Sequence, residues 1–383
     1  MSELWPYRLT RELDELRAKD RYRSLKTYSG IDFGSNDYLG FAIDGELKEA
    51  ALRNFKQIHL SASASASRLL PGHHTEHLEA EKVFARFVGT ESALLFNSGF
   101  DANTALLTTL PTRHDLILFD ERSHASIYDG VRSSLAKSKR FQHNSAEDLA
   151  RLLAAKDDSE QIFVVLESLY SMDGDVAALK EIGNVAEKAN AVLMVDEAHG
   201  TGVLGTKGEG LVKNAMERNE RIISVHTCGK ALGAAGAFVC GTKTVIDYLV
   251  NKARPFIFTT ALPPIVPLQI IAAIEKLERN GAQLVTQLRE RSSKVRHELH
   301  RSLCTWNILE GETPIVSIII GSDANALTVS QQLREIGFEI PAIRPPSVPE
   351  GSSRLRMNIS LRHSEEQLRT VVAAIVQAER EAT

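Results

Sequence analysis

Residues 193–205 read LMVDEAHGTGVLG, and three incompatible sites are spelled in those thirteen letters. DEAH, residues 196–199, is the acidic box of a nucleic-acid helicase. GTGVLG, residues 200–205, fits the G-x-G-x-x-G turn that cradles a dinucleotide. An aspartate closing an apolar strand, with a histidine three residues on, also suits the nitrogen and the polar edge of a pyridine ring.

The first two readings fail on what surrounds them. A helicase needs G-x-x-x-x-G-K-[ST], whose backbone amides hold phosphates while its hydroxyl holds magnesium. The chain has no such run; Gly229-Lys230 is followed by Ala231 and lacks the first glycine. A dinucleotide turn places its first glycine at the strand end, so that the pyrophosphate meets the next helix. Here Asp196, Glu197, Ala198 and His199 intervene, and TKGEGLVK follows Gly205, too glycine-rich for that helix. A third decoy, His73-x-x-Glu76-His77, matches an inverted zinc-peptidase pattern. Pro71-Gly72 stands directly before it, so the helix is expected to start near Thr75 and leave His73 outside; no metal site is expected.

The bulk numbers agree with an ordinary soluble protein. The 383 residues are 43% hydrophobic and 25% charged, enough for a large core and too balanced for disorder. A net charge of −4 supplies no general attraction for nucleic acid. Three cysteines, Cys228, Cys240 and Cys304, lack any C-x-x-C spacing and fit a reducing compartment. The first residues, MSELWPYRLTRELDELRAKDRYR, are charged throughout. No apolar run nears the length that crosses a bilayer, roughly 18 residues. A cytoplasmic location without membrane contact is the expectation.

From about residue 79 to 241, short apolar runs alternate with longer mixed segments. The runs are SALLF (92–96), DLILF (115–119), IFVVL (162–166), AVLMV (191–195), IISVH (222–226) and AFVCG (237–241). Nearly continuous apolar strands separated by helical stretches predict an α/β fold with a largely parallel sheet. SAEDLARLLAAK is one such helix, with Ser145 as cap and Leu149, Leu152 and Leu153 as its stripe. Residues 263–304 read as one long or two consecutive amphipathic helices. A smaller α+β unit follows, with strands expected at 314–320 and 354–360. The expected division is an N-terminal arm (1–40), a large domain (41–270) and a small C-terminal domain (271–383).

Three further residues and segments favour the pyridine reading. Lys230, in SVHTCGKALGAAGAFVCG, sits in a small-residue loop just after a strand, where a lysine suits imine formation with an aldehyde. Asp196 can keep a pyridine nitrogen protonated so that the ring accepts electrons. LLFNSGFDANTALLTTL supplies a strand, then Asn97-Ser98-Gly99-Phe100, then a helix N-terminus suited to a phosphate. Together these are the polar parts of a pyridoxal 5'-phosphate site.

GSNDYLGF, FNSGFDAN, DERSHASI, ESLYSMDGD, VDEAHGTGVLG, TCGKALGAAG, FIFTTALPP and AIRPPSVPEGSSRLRMNIS, in this order over 28–369, make the chain resemble an α-oxoamine synthase. These are fold-type I pyridoxal-phosphate transferases with a large, mostly parallel domain and a smaller α+β domain. The resemblance implies that Lys230 binds the cofactor aldehyde and acts as base at Cα. It pairs Asp196 with the ring nitrogen, His199 and Ser171 with the phenolic oxygen, and His124 with the ring face. Ser123-His124-Ala125-Ser126 also reads as a cap for the next helix. Gly99, Phe100 and Thr227 would hold the phosphate, and Thr260 would reach the phosphate of a neighbouring subunit, making the active site the property of a homodimer. Asn36 would touch the substrate carbonyl, Glu167 would support His124 and the thioester site, and Arg356 would clamp the amino acid's carboxylate. A strand-end glutamate and a solvated strand arginine are the plain alternatives for the last two.

Two segments bear on specificity. Arg344, in AIRPPSVP, is counted with the substrate residues and directs the expectation to L-alanine and a pimeloyl thioester as substrates. Glycine C-acetyltransferase chemistry is the alternative, and a catalytically silent regulatory subunit a third reading. SASASAS, residues 61–67, replaces a run that is glycine-rich in the family, so positions of positive φ and close backbone approach fall to serine and alanine.

Overall fold

The computed structural model describes residues 5–57, 61–155, 160–215 and 220–382. The chain divides into two compact units: 36–171 with 175–288, and 1–35 with 172–174 and 289–383.

The larger unit is built on a seven-stranded sheet: β1 (Ser92–Phe96), β2 (Leu116–Asp120), β3 (Lys137–Phe141), β4 (Ile162–Glu167), β5 (Val192–Asp196), β6 (Ile222–Thr227) and β7 (Ala237–Gly241). Their order is β1-β7-β6-β5-β4-β2-β3. β2, β3, β4, β5 and β6 pair in parallel, while β7 runs antiparallel to both of its neighbours, β1 and β6. Both sheet faces are covered. Ile117, Val165, Met194 and Ile223 join one buried cluster with Ala102, Ala105 and Leu106. Leu118, Val164, Leu193 and Val195 join another with Leu149, Leu153 and Ile182. Alternate residues of one strand thus enter opposite cores, which is why the runs are apolar without alternation.

Six strands match the apolar runs within a residue or so. β3, KSKRF, has no counterpart among them: it is one edge of the sheet, and its first four residues are exposed. Charge on an edge strand discourages pairing with other chains and hides the strand from a hydrophobicity reading. The helix α1 (Thr75–Val88) leads into β1, and α2 (Gly99–Thr109), α3 (Ala125–Ser133) and α4 (Ala146–Ala154) fill the connections from β1 to β4. α4 starts as its sequence predicts, with Ser145 Oγ accepting from Asp148 N. α1 starts at Thr75, leaving His73 outside. His77 Nδ1 accepts from His74 N, and Nε2 donates to the Leu262 carbonyl 2.9 Å away, so both ring nitrogens are engaged with backbone.

In the smaller unit, a four-stranded sheet runs Ala342–Ile343, Ser353–Asn358, Ile315–Gly321, Asn307–Ile308, all antiparallel. Phe33, Val316, Ile318, Leu355, Met357, Val371 and Ile375 lie in its core. Residues 265–302 form a single helix, α5 (Ile265–Ser302), and the division between the units falls inside it, at 288/289. An exposed helix, Trp5–Ala18, precedes Ile31–Asp32, which pairs in parallel with Phe338–Glu339. Among the described residues no helix is long and apolar enough to cross a membrane.

Candidate active site

The carboxyl ends of the parallel strands carry polar residues: Asn97 and Ser98 after β1, Asp120 on β2, Glu167 on β4, Asp196 on β5 and Thr227 on β6. Ligand sites of open α/β sheets form at such ends. Register sets Glu167 directly beside Asp196.

Asp196 is buried, and both its oxygens are held: Oδ1 by Ala198 N at 2.8 Å, Oδ2 by Asn103 Nδ2 at 2.7 Å. Asn103 spends its second amide proton on Ser126 Oγ, 2.9 Å away. Ser126 Oγ lies 2.8 Å from His124 Nδ1, which also accepts from Ser126 N. An unprotonated Nδ1 assigns the neutral ring its proton on Nε2. Asp196, Asn103, Ser126 and His124 therefore form one line of hydrogen bonds. His124 is the N-cap of α3, as the plainer reading had it, and is exposed.

Glu167 Oε1 accepts from His124 N at 2.5 Å. Burial first, and then Asp196 beside it, push the Glu167 carboxyl well above the usual range, while Lys230 pulls it back. A carboxyl so raised favours its neutral form beside the second carboxylate. His199 is buried with Nδ1 2.7 Å from the Tyr38 hydroxyl, and Tyr38 donates to Asn36 Oδ1 at 3.2 Å. This sets Asn36, Tyr38 and His199 in a row.

Lys230 lies in the short connection 228–236 between β6 and β7. Cys228 N donates to Gly236 O, Ala234 N to Cys228 O and Gly233 N to Lys230 O, each within 3.0 Å. A Cβ on Gly233 would stand 2.3 Å from Ala42 N, and one on Gly202 2.4 Å from Ala231 Cβ. The loop is clasped from both sides. Its partner loop is anchored by Glu197, fully buried, which accepts from Ser168 Oγ at 2.6 Å and Val212 N at 2.7 Å. Burial raises the Glu197 carboxyl to about 7.

Gly99 opens α2, which Ser98 caps by accepting from Asp101 N at 3.1 Å. A Cβ on Gly99 would lie 3.6 Å from Thr227 Cβ, so the helix N-terminus and the β6 hydroxyl border the same space. Phe100 is exposed. The exposed Thr260 accepts from Asn97 Nδ2 through its carbonyl, and Ser171 follows β4 in the same unit.

The larger unit therefore carries Asn36, Gly99, Phe100, His124, Glu167, Ser171, Asp196, His199, Thr227, Lys230 and Thr260. Arg344 and Arg356 belong to the smaller one. Arg356 is buried on its strand opposite Ser317, and its N donates to Pro341 O; Arg344 donates to the Asp20 carbonyl. Arg354, the other arginine of that strand, is paired with Asp173. In the SASASAS run, Ser65 holds φ +59°, a left-handed residue without glycine, and the close approach is made by Gly72, whose Cβ would stand 2.0 Å from Ala66 O.

The model of the aminotransferase class I and II family matches residues 28–375. The chain is 39% identical over 381 residues to 8-amino-7-oxononanoate synthase of Chromohalobacter salexigens, covering 98% of this chain and 97% of that one. It is 40% identical over 367 residues to the enzyme of that name from Chromobacterium violaceum, covering 93% and 94%. The chain belongs to the class I and II aminotransferase family, in its α-oxoamine synthase branch. Among solved structures, Sphingomonas wittichii serine palmitoyltransferase superposes with a TM-score of 0.89 at 30% identity, covering 100% of this chain and 98% of that one. The 8-amino-7-oxononanoate synthase of Francisella tularensis gives 0.76 at 28%, covering 92% and 98%.

For an α-oxoamine synthase, the donor set fits pyridoxal phosphate part by part: a lysine amine on a rigid loop, a buried carboxylate, an imidazole, and amides at a helix N-terminus beside a hydroxyl. Sequence reading missed Asn103, Ser126 and Tyr38. Tyr38 shares its motif with Asn36, and Asn103 stands one helical turn after Gly99, facing the sheet; those are the signals that lead to them.

Proposed function

We propose that the protein joins L-alanine to a pimeloyl thioester, giving 8-amino-7-oxononanoate, carbon dioxide and free thiol, in biotin biosynthesis. The observation that carries the chemistry is the cluster at the strand ends: Asp196, Glu167 and His124 with Lys230 in electrostatic reach. The choice of substrates follows the relatives' names and AIRPPSVP.

Pyridoxal phosphate, when bound, supplies an electron sink for the pair released at the amino acid's Cα. Lys230 takes the Cα proton and returns it at the end. Asp196, its two oxygens held by Asn103 and Ala198, would hold a proton on the ring nitrogen; His199, steadied by Tyr38, and Ser171 would meet the phenolic oxygen. His124 would lie against the ring and exclude water. The amides of Gly99 and Phe100 and the Thr227 hydroxyl would hold the phosphate, with Thr260 serving the other subunit of a homodimer. Asn36 orients the acyl carbonyl, and Arg356 and Arg344 remain the charge partners for substrate carboxylates. Over the cycle a bond forms between alanine Cα and the thioester carbonyl, the C–S bond breaks, and the alanine carboxylate leaves as carbon dioxide.

The test mixes the pyridoxal-phosphate-loaded protein with L-alanine or glycine, each with pimeloyl-CoA or acetyl-CoA, and follows thiol release. Release confined to alanine with pimeloyl-CoA is expected. Release with glycine and acetyl-CoA moves the assignment to glycine C-acetyltransferase. A protein that stays colourless with the cofactor, as Lys230→Ala should, refutes the reading altogether.

A further inference from the structure

We propose that His143 is a positioning residue of the active site, bolting the loop that carries His124 to the loop that carries Ser171. It rests on the cofactor reading above, yet the residue lies outside every group assigned there.

His143 Nδ1 lies 2.9 Å from Asp120 Oδ1 and Nε2 lies 2.9 Å from Asp175 Oδ2. The two aspartates belong to the motifs DERSHASI and ESLYSMDGD, which are well separated in sequence. Asp120 is fully buried; its Oδ1 also accepts from Arg122 N, and its Oδ2 from Asn144 N, both at 2.8 Å. It therefore shapes the turn that delivers His124. Asp175 O accepts from Tyr170 N at 3.0 Å, closing the segment that begins at Ser171. The Tyr170 ring stands edge-on to the imidazole, 4.5 Å away at 87°. Asn144, left-handed at φ +55°, adds a second tie: its Oδ1 accepts from Ala178 N at 2.7 Å and its Nδ2 donates to Val176 O at 3.0 Å.

The chemistry requires this residue type. Only a doubly protonated imidazole presents two rigid N–H donors facing away from each other, so each loop gains a charge-assisted bond. Removing it leaves two carboxylates facing a gap, and each loop is free to settle by itself. His124 and Ser171 meet different parts of the cofactor ring, so a relative shift of their loops changes the ring's tilt. A misplacement on the order of 1 Å costs about 100-fold in rate.

The experiment compares wild type, His143→Gln and the double variant His143→Gln/Asp175→Asn, each loaded with pyridoxal phosphate. Visible circular dichroism of the bound cofactor reports its tilt, steady-state rates with L-alanine separate kcat from KM, and thermal melting reports stability. His143→Gln is expected to lower Tm, weaken the dichroic band and reduce kcat about tenfold or more, with KM for L-alanine much less changed. The double variant, which also removes the charge of the half-buried Asp175, is expected to recover part of Tm but neither the band nor kcat. Should His143→Gln fold poorly, Asp175→Ala alone breaks one of the two bonds and is expected to weaken the band in the same direction. A wild-type band and kcat in His143→Gln overturn the proposal. So does recovery of band, kcat and Tm together in the double variant, which would make His143 a charge balancer only. A wild type without any visible band refutes the cofactor reading itself.

Discussion

The stability of this protein is expected to fall between neutral and alkaline pH, with His143 as the cause. Desolvation disfavours its imidazolium, but the bonds to Asp120 and Asp175 outweigh it and raise the pKa from 6.5 to about 9. A group whose pKa is raised by folding stabilises fully below its unfolded pKa and loses that contribution as pH climbs through the folded one. The window is therefore about pH 6.5 to 9. The side chain is only 13% exposed, so solvent screening is modest. The rise in pKa corresponds to about 3 kcal/mol. The pKa of Asp120, lowered despite its burial, is the other side of the same bond and adds nothing further. Urea unfolding of wild type and His143→Gln from about pH 6 to pH 10 isolates this residue from lysines and tyrosines titrating nearby. The two proteins should differ by about 3 kcal/mol at pH 6 and converge near pH 10. A difference that stays constant across the range would refute the reasoning.

Asn103→Ala takes a charge-assisted bond from Asp196 and should reduce kcat about 10- to 100-fold while cofactor content holds; an unchanged kcat argues against the line from Asp196 to His124. Gly200→Ala would put a Cβ 2.1 Å from Glu197 Oε2 and 2.5 Å from Ser168 Oγ, disrupting a buried hydrogen bond. It should cost about 2–4 kcal/mol in urea unfolding, and a loss near zero would show that the loop has room to yield. Ser65→Gly relieves a left-handed residue and should raise stability by about 0.5–1 kcal/mol; destabilisation would mean that the serine side chain does more than tolerate the turn.

Much of the fold was legible because both sheet faces are buried, which turns strands into apolar runs and leaves their carboxyl ends to polar residues. The reversal of β7 was not, since a buried strand reads the same in either direction. The clue was the short connection between β6 and β7, which falls below the length of a parallel crossover, a dozen residues or more. In the candidate site, the positions of Lys230, Asp196 and the Gly99 turn at strand ends were readable from their motifs. Their supports were not: Asn103 meets Asp196 across 93 residues and Tyr38 meets His199 across 161, distances over which periodicity carries no information. His143 fell outside every motif because its meaning lies in two aspartates on separate loops.

The seam between β1 and β7, with Ser92 paired to Gly241, has a consequence for how the protein is made. Among the described residues β7 is the only sheet neighbour of β1, so β1 waits without one until residue 241 has been synthesised. Synthesis proceeds at about 5–20 residues per second, so the intervening stretch of roughly 150 residues takes about 8–30 s. For that interval an apolar strand must be shielded by α1 and α2 or by a chaperone. Gly99, His124, Asp196 and Lys230, proposed above to hold the cofactor, all fall inside the seam, so that proposed site is enclosed only when the last strand of the sheet arrives.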